Sequence, residues 1–222
     1  MTTLKTISIK RTARYYLSDE PSSLHKNLCF VLHGYGQLPE YFIKKFAALN
    51  RSDILFVAPE GLHRFYLNGS KGRVGASWMT KENRLQDISD YNQMLEQIAM
   101  EIGKDRSFEK IAIFGFSQGV ATACRWANFT AVKFEALISW AGAFPPDLNF
   151  EQALDKLQPK ELYILCGDED EFISEAALQE HLDFLNSKGL SPKLHRFKGQ
   201  HDLYAKPLET LFDELFPIPP GP

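Results

Sequence analysis

Five short apolar runs, at residues 28–32, 54–58, 111–116, 136–141 and 162–166, constrain this chain more than any other feature. Each is continuous rather than alternating, as expected of strands covered on both faces. Segments of helical period separate them. Phe42, Ile43, Phe46 and Leu49 share a face after Pro39, which suits a helix's first turn. Ile88, Tyr91, Leu95, Ile98 and Ile102 form an amphipathic stripe. A third helix is predicted to begin at Ser117, a fourth to run over about residues 175–186 before Gly189, and a last to carry Leu208, Leu211, Phe212 and Leu215 before Pro217. This alternation predicts an α/β fold: a mostly parallel central sheet with helices on both faces. In the first 18 residues Ile7 and Ile9 alternate with polar neighbours, and antiparallel edge strands are predicted there. With no Pro/Gly/Ser linker and no internal repeat, residues 1–216 are expected to form one domain, followed by a tail at 217–222. Residues 59–86, which contain Gly61, Gly69, Gly72 and Gly75, fit no element and read as a long functional or mobile loop.

Charge narrows the partners. The formal net charge is −3, with acidic and basic residues scattered along the chain. That leaves no electrostatic footprint for nucleic acid or an anionic membrane. The N-terminus lacks the apolar core of a signal peptide and no apolar stretch reaches transmembrane length, so a cytoplasmic protein without membrane insertion is expected. Cys29, Cys124 and Cys166 are odd in number and sit in apolar runs, which predicts buried free thiols. The histidines show no metal-ligand spacing, and neither a metal nor a cofactor is expected.

Chemistry concentrates in four loops. Gly115-Phe116-Ser117-Gln118-Gly119 is a G-x-S-x-G element between a strand and a helix-forming stretch. A sharp turn there requires residues without a β-carbon on both sides of the serine, and it sets the hydroxyl at a helix N-terminus that favours negative charge. His201, in Lys198-Gly199-Gln200-His201, follows a predicted last strand at 193–197. Asp168 and Asp170 flank the turn after the run ending at Cys166. In a parallel sheet these loops open on one edge, so a serine, a base and an orienting acid can converge there. Ser-Asp-His is also the chain order of α/β-hydrolases. Oxyanion donors are expected from the backbone N–H groups of Gln118, after the serine, and of Tyr35, in His33-Gly34-Tyr35-Gly36. His33 itself reads as a loop-holding residue.

Taken together and in order, HGYG, GFSQG, GDED and KGQH resemble the phospholipase/carboxylesterase family of small α/β-hydrolases, which includes acyl-protein thioesterases and bacterial carboxylesterases. The resemblance spans roughly residues 28–215. It implies a fold without a large lid, the second aspartate of G-D-x-D, Asp170, as the catalytic acid, Ser117 as nucleophile and His201 as base. Carboxylic ester or thioester hydrolysis through an acyl-enzyme is then expected, on a small-molecule substrate. Lysophospholipase or thioesterase action on long acyl chains, or a non-catalytic binding role, are the alternatives. The chain departs from the family at Tyr35, where Leu is common, and at Ser77-Trp78-Met79, where a Trp-Phe-Asp-like stretch is common, so acyl preference does not carry over. Phe65, Trp78 and Phe144 are candidate pocket residues. The oligomeric state is not legible.

Overall fold

Each apolar run becomes a strand with a neighbouring strand on either side. A computed structural model describes residues 2–158 and 160–218. In chain order the strands are β1 (Tyr15–Leu17), β2 (Asn27–Leu32), β3 (Ile54–Pro59), β4 (His63–Asn68), β5 (Lys71–Ser77), β6 (Lys110–Phe116), β7 (Ala136–Trp140), β8 (Glu161–Gly167) and β9 (Lys193–Phe197). The helices are α1 (Pro39–Phe42), α2 (Lys44–Ala47), α3 (Arg84–Gly103), α4 (Gln118–Phe129), α5 (Phe150–Leu157), α6 (Glu175–Ser187) and α7 (Ala205–Leu215). Seven strands form one sheet in the order β1-β3-β2-β6-β7-β8-β9, parallel except for β1 against β3.

Strand residues alternate between two cores, which is why the runs are apolar throughout. Phe30, Leu32, Val57, Ile113, Leu137 and Ile164 meet α3, α4, α5 and α6 on one face. Cys29, Val31, Phe56, Phe114, Ile138 and Leu165 meet α1, α2 and α7 on the other, where Phe46, Phe56, Phe114 and Phe212 interlock. The three cysteines are free and buried. No helix among the described residues is long and apolar enough to cross a membrane.

Four differences from the sequence reading have physical causes. The antiparallel edge is a single three-residue strand, β1, whereas Ile7 and Ile9 are 88% and 80% exposed: their alternation has no sheet to face. Much of the presumed loop at 59–86 is an antiparallel hairpin, β4–β5, hidden from pattern reading because its outer residues are solvated and glycines interrupt it. The helix predicted after Pro39 is two short pieces, α1 and α2, joined at Ile43. Helix α5 was not anticipated, although Asn149 marks its start by accepting a hydrogen bond from the Gln152 N–H at 3.3 Å. Of the expected C-terminal tail, residues 219–222 lie outside the described residues, and 217–218 follow α7 without helical structure.

Candidate active site

Ser117 occupies the turn from β6 to α4 with φ 53° and ψ −119°, a conformation that costs a non-glycine residue about 1–3 kcal/mol. The surrounding structure enforces it. The Ser117 N–H donates to the Trp140 carbonyl at 2.9 Å, and the Val120 N–H donates to the Ser117 carbonyl at 3.0 Å. A β-carbon on Gly115 would stand 2.5 Å from the Gly119 carbonyl oxygen, and one on Gly119 would run into the carbonyls of Leu32 and His33. Both glycines of the motif are therefore demanded by close backbone approach at the crossing of β2, β6 and α4.

The loops after β8 and β9 bring their side chains to this hydroxyl. His201 Nε2 lies 2.9 Å from Ser117 Oγ, and His201 Nδ1 lies 2.8 Å from Asp170 Oδ2. A carboxylate only accepts, so Nδ1 carries the proton and the Nε2 lone pair faces the serine. Asp170 is itself fixed: its Oδ1 accepts from the N–H groups of Phe172 at 2.9 Å and Ile173 at 3.1 Å. Asp168, its rival in sequence, points elsewhere and accepts from the Gly199 N–H at 3.0 Å, tying the acid loop to the histidine loop. The ring of Phe172, itself 73% exposed, stands edge-on to His201 with centroids 4.7 Å apart.

On the other side of Ser117, the loop after β2 is braced from below. His33 is fully buried; its Nδ1 donates to the Gly34 carbonyl at 2.8 Å and its Nε2 accepts from the Gly61 N–H at 3.0 Å. Trp78 stacks on that ring at 4.9 Å and donates its indole N–H to the His33 carbonyl at 2.8 Å. Gln37 Oε1 accepts from the Gly34 N–H at 2.8 Å. The Gly36 N–H donates to Ala76 O at 2.8 Å and the Ala76 N–H to Gln37 O at 3.0 Å, which fastens the loop to the root of the β4–β5 hairpin. The Gln118 side chain is clamped in turn, donating to Ser77 Oγ at 3.0 Å and Met79 O at 3.1 Å. Among the described residues the backbone N–H groups of Tyr35 and Gln118 donate to no protein acceptor.

Burial holds the His33 imidazole at a pKa of about 4, against an ordinary 6.5. The unfolded chain therefore takes up this proton first on acidification. The stability this group confers is complete above about pH 6.5 and is lost as the pH falls through about 4, amounting to about 3 kcal/mol for a fully buried group. An NMR titration of the ring is expected to show a neutral Nδ1–H tautomer with a midpoint near pH 4. A midpoint near 6.5 would mean that the ring is not enclosed.

A cavity of about 610 Å³ opens beside Ser117 and His201. Its wall is mainly apolar: Phe116, the exposed Phe172, Ile164 and Cys166 from β8, Ile173 from the approach to α6 and Leu178 from α6 itself. Burial, aided by the nearby negative charge of Asp170, pushes the Cys166 thiol up to about 11, so it is a neutral wall group and not a second nucleophile. Tyr35 lines the mouth, but Phe65, Trp78 and Phe144 do not line the cavity. Phe65 packs against Tyr35 from outside, Trp78 lies beneath His33, and Phe144 is buried against His181. The wall residues Ala177, Leu178 and His181 went unrecognised in the sequence, although Ala177 and Leu178 stand four and three residues before His181, on one face of α6.

A mostly parallel sheet with a serine in a strained turn after β6, an acid after β8 and a histidine after β9 is the α/β-hydrolase fold. The phospholipase/carboxylesterase family model matches residues 18–215, and the chain belongs to that family. Among solved structures, acyl-protein thioesterase 2 of Zea mays is similar at 19% identity with a TM-score of 0.70, over 92% of this chain and 98% of that one. Esterase PE8 is similar at 20% identity and a TM-score of 0.64, over 92% and 98% of the two chains. The carboxylesterase of Bacillus cereus is similar at 17% identity and 0.65, over 92% and 95%. Comparison with curated protein sequences finds no match.

Proposed function

We propose that this chain, with residues 1–216 as one catalytic unit, is a serine esterase that hydrolyses small carboxylic esters or thioesters in a reducing, cytoplasmic setting. The observation that carries the reading is the continuous contact from Ser117 Oγ through the His201 ring to Asp170 at the mouth of an apolar cavity. Ser117 attacks the acyl carbonyl as His201 Nε2 takes its proton; the imidazolium so formed is stabilised by Asp170 and returns the proton to the leaving alcohol or thiol. The oxyanion is held by the Tyr35 and Gln118 N–H groups. Water then repeats the sequence on the acyl-enzyme, with His201 as base once more. No step requires a metal or cofactor.

The test is reaction with a fluorophosphonate followed by peptide mass spectrometry, together with p-nitrophenyl ester hydrolysis over acyl lengths of two to sixteen carbons. Stoichiometric phosphonylation at Ser117 is expected. So is a rise in kcat/KM of about fourfold per added CH₂ until the cavity is filled, each buried methylene contributing about 0.8 kcal/mol. A rise continuing to the longest chains would instead assign the site to lysophospholipid or acyl-protein substrates. No labelling and no hydrolysis at any length would assign the fold to binding without turnover.

A further inference from the structure

The cavity is not uniformly apolar. His181 enters its wall from the middle of α6, on the same face as Ala177 and Leu178. Its Nε2 accepts a hydrogen bond from the Phe144 N–H at 3.3 Å, and the Phe144 ring packs against it with centroids 5.7 Å apart. With Nε2 occupied as an acceptor, the neutral ring carries its proton on Nδ1. Among the described residues Nδ1–H meets no acceptor, yet it is not among the sealed, unpartnered side-chain atoms, which are Asn92 Oδ1, Thr122 Oγ1 and Ser139 Oγ. Burial lowers the pKa of this histidine, which keeps it an uncharged donor at neutral pH. The lining thus carries a His181 donor in addition to the polar side chains of Tyr35 and Gln37, and the neutral thiol of Cys166 lines the same cavity.

We infer that His181 is a specificity-determining residue that selects acyl groups bearing an uncharged oxygen acceptor, a keto or hydroxyl oxygen, along an otherwise apolar chain. The inference rests on the esterase reading above and adds the substrate class. A plain alkyl chain fills the same volume but leaves the Nδ1–H without a partner once water is displaced, and an unpaired donor is what such a site discriminates against. A charged carboxylate fits less well, because the residues that wall this part of the cavity include no cation.

The experiment compares kcat/KM for p-nitrophenyl hexanoate with that for the 3-, 4- and 5-oxohexanoates, in the wild type and in His181→Leu and His181→Gln. The ratio of oxo ester to plain ester is the readout, so a general loss of rate in a variant cancels. For the wild type, one oxo position is expected to be favoured about tenfold, the value of one well-made hydrogen bond. His181→Leu is expected to abolish that preference, and His181→Gln, which keeps an N–H donor, to restore part of it. No favoured position in the wild type, or an equal preference in His181→Leu, overturns the inference. Ser117→Ala separates the two levels: if it leaves both esters turning over, the esterase reading itself has failed, whereas loss of both with no oxo preference in the wild type removes only the role of His181.

Discussion

Replacing Ser117 with Ala is expected to lower kcat for a p-nitrophenyl ester by about a millionfold, with the fold intact. Among the described residues the side chain makes its hydrogen bond to His201 alone, and the turn is held by backbone contacts to Trp140 and Val120, so removing one oxygen takes away the proposed nucleophile without releasing the loop. A His201→Ala change made on top of it should cost little more, because nucleophile and base act as one unit. Stopped-flow detection of the p-nitrophenolate burst checks the first statement, since the burst should vanish in Ser117→Ala while circular dichroism is unchanged, and steady-state kinetics of the double variant checks the second. A variant within tenfold of the wild-type rate would place the nucleophile elsewhere.

Asp170→Asn is expected to reduce kcat by about ten-thousandfold, and the local hydrogen bonds explain why so small a change is so costly. Oδ1 is committed to the Phe172 and Ile173 N–H groups, so the asparagine keeps its oxygen there and turns its NH₂ toward His201 Nδ1. The ring must then accept at Nδ1 and carry its proton on Nε2, facing Ser117 with no lone pair to receive the serine proton. Asp168→Asn makes the control. Its carbonyl still accepts from Gly199, and activity should fall less than tenfold. Steady-state kinetics of the two variants decide between the neighbouring acids, and a larger loss in Asp168→Asn would exchange their roles.

Ser117 and Asp170 were legible because they follow β6 and β8, largely buried strands that announce themselves as unbroken apolar runs. By contrast β9, before His201, is a mostly exposed edge strand, and there the Lys198-Gly199-Gln200-His201 motif marked the position. The choice between Asp168 and Asp170 was not a matter of pattern; it rested on family resemblance, and the geometry that separates them is a difference in side-chain direction across two residues of one turn. Direction also explains the pocket. Trp78 is an aromatic residue in a glycine-rich stretch and read as a wall, but its ring and N–H are both engaged by His33. The true wall at Phe116, Phe172 and Leu178 comes from three segments that only the folded sheet brings together. The hairpin β4–β5 escaped because its strands are short of apolar alternation and stand mostly in solvent.

That hairpin has a divided character. At its root, a β-carbon on Gly75 would collide with the Gly36 carbonyl of the loop that carries Tyr35; at its tip, Gly69 and Gly72 look into open space. Mutational drift is therefore partitioned along a single ribbon. Length and charge at the tip are free to diverge between descendants of this chain, while the root is held to the loop that carries Tyr35, so one end of the ribbon can change faster than the other only a few residues away.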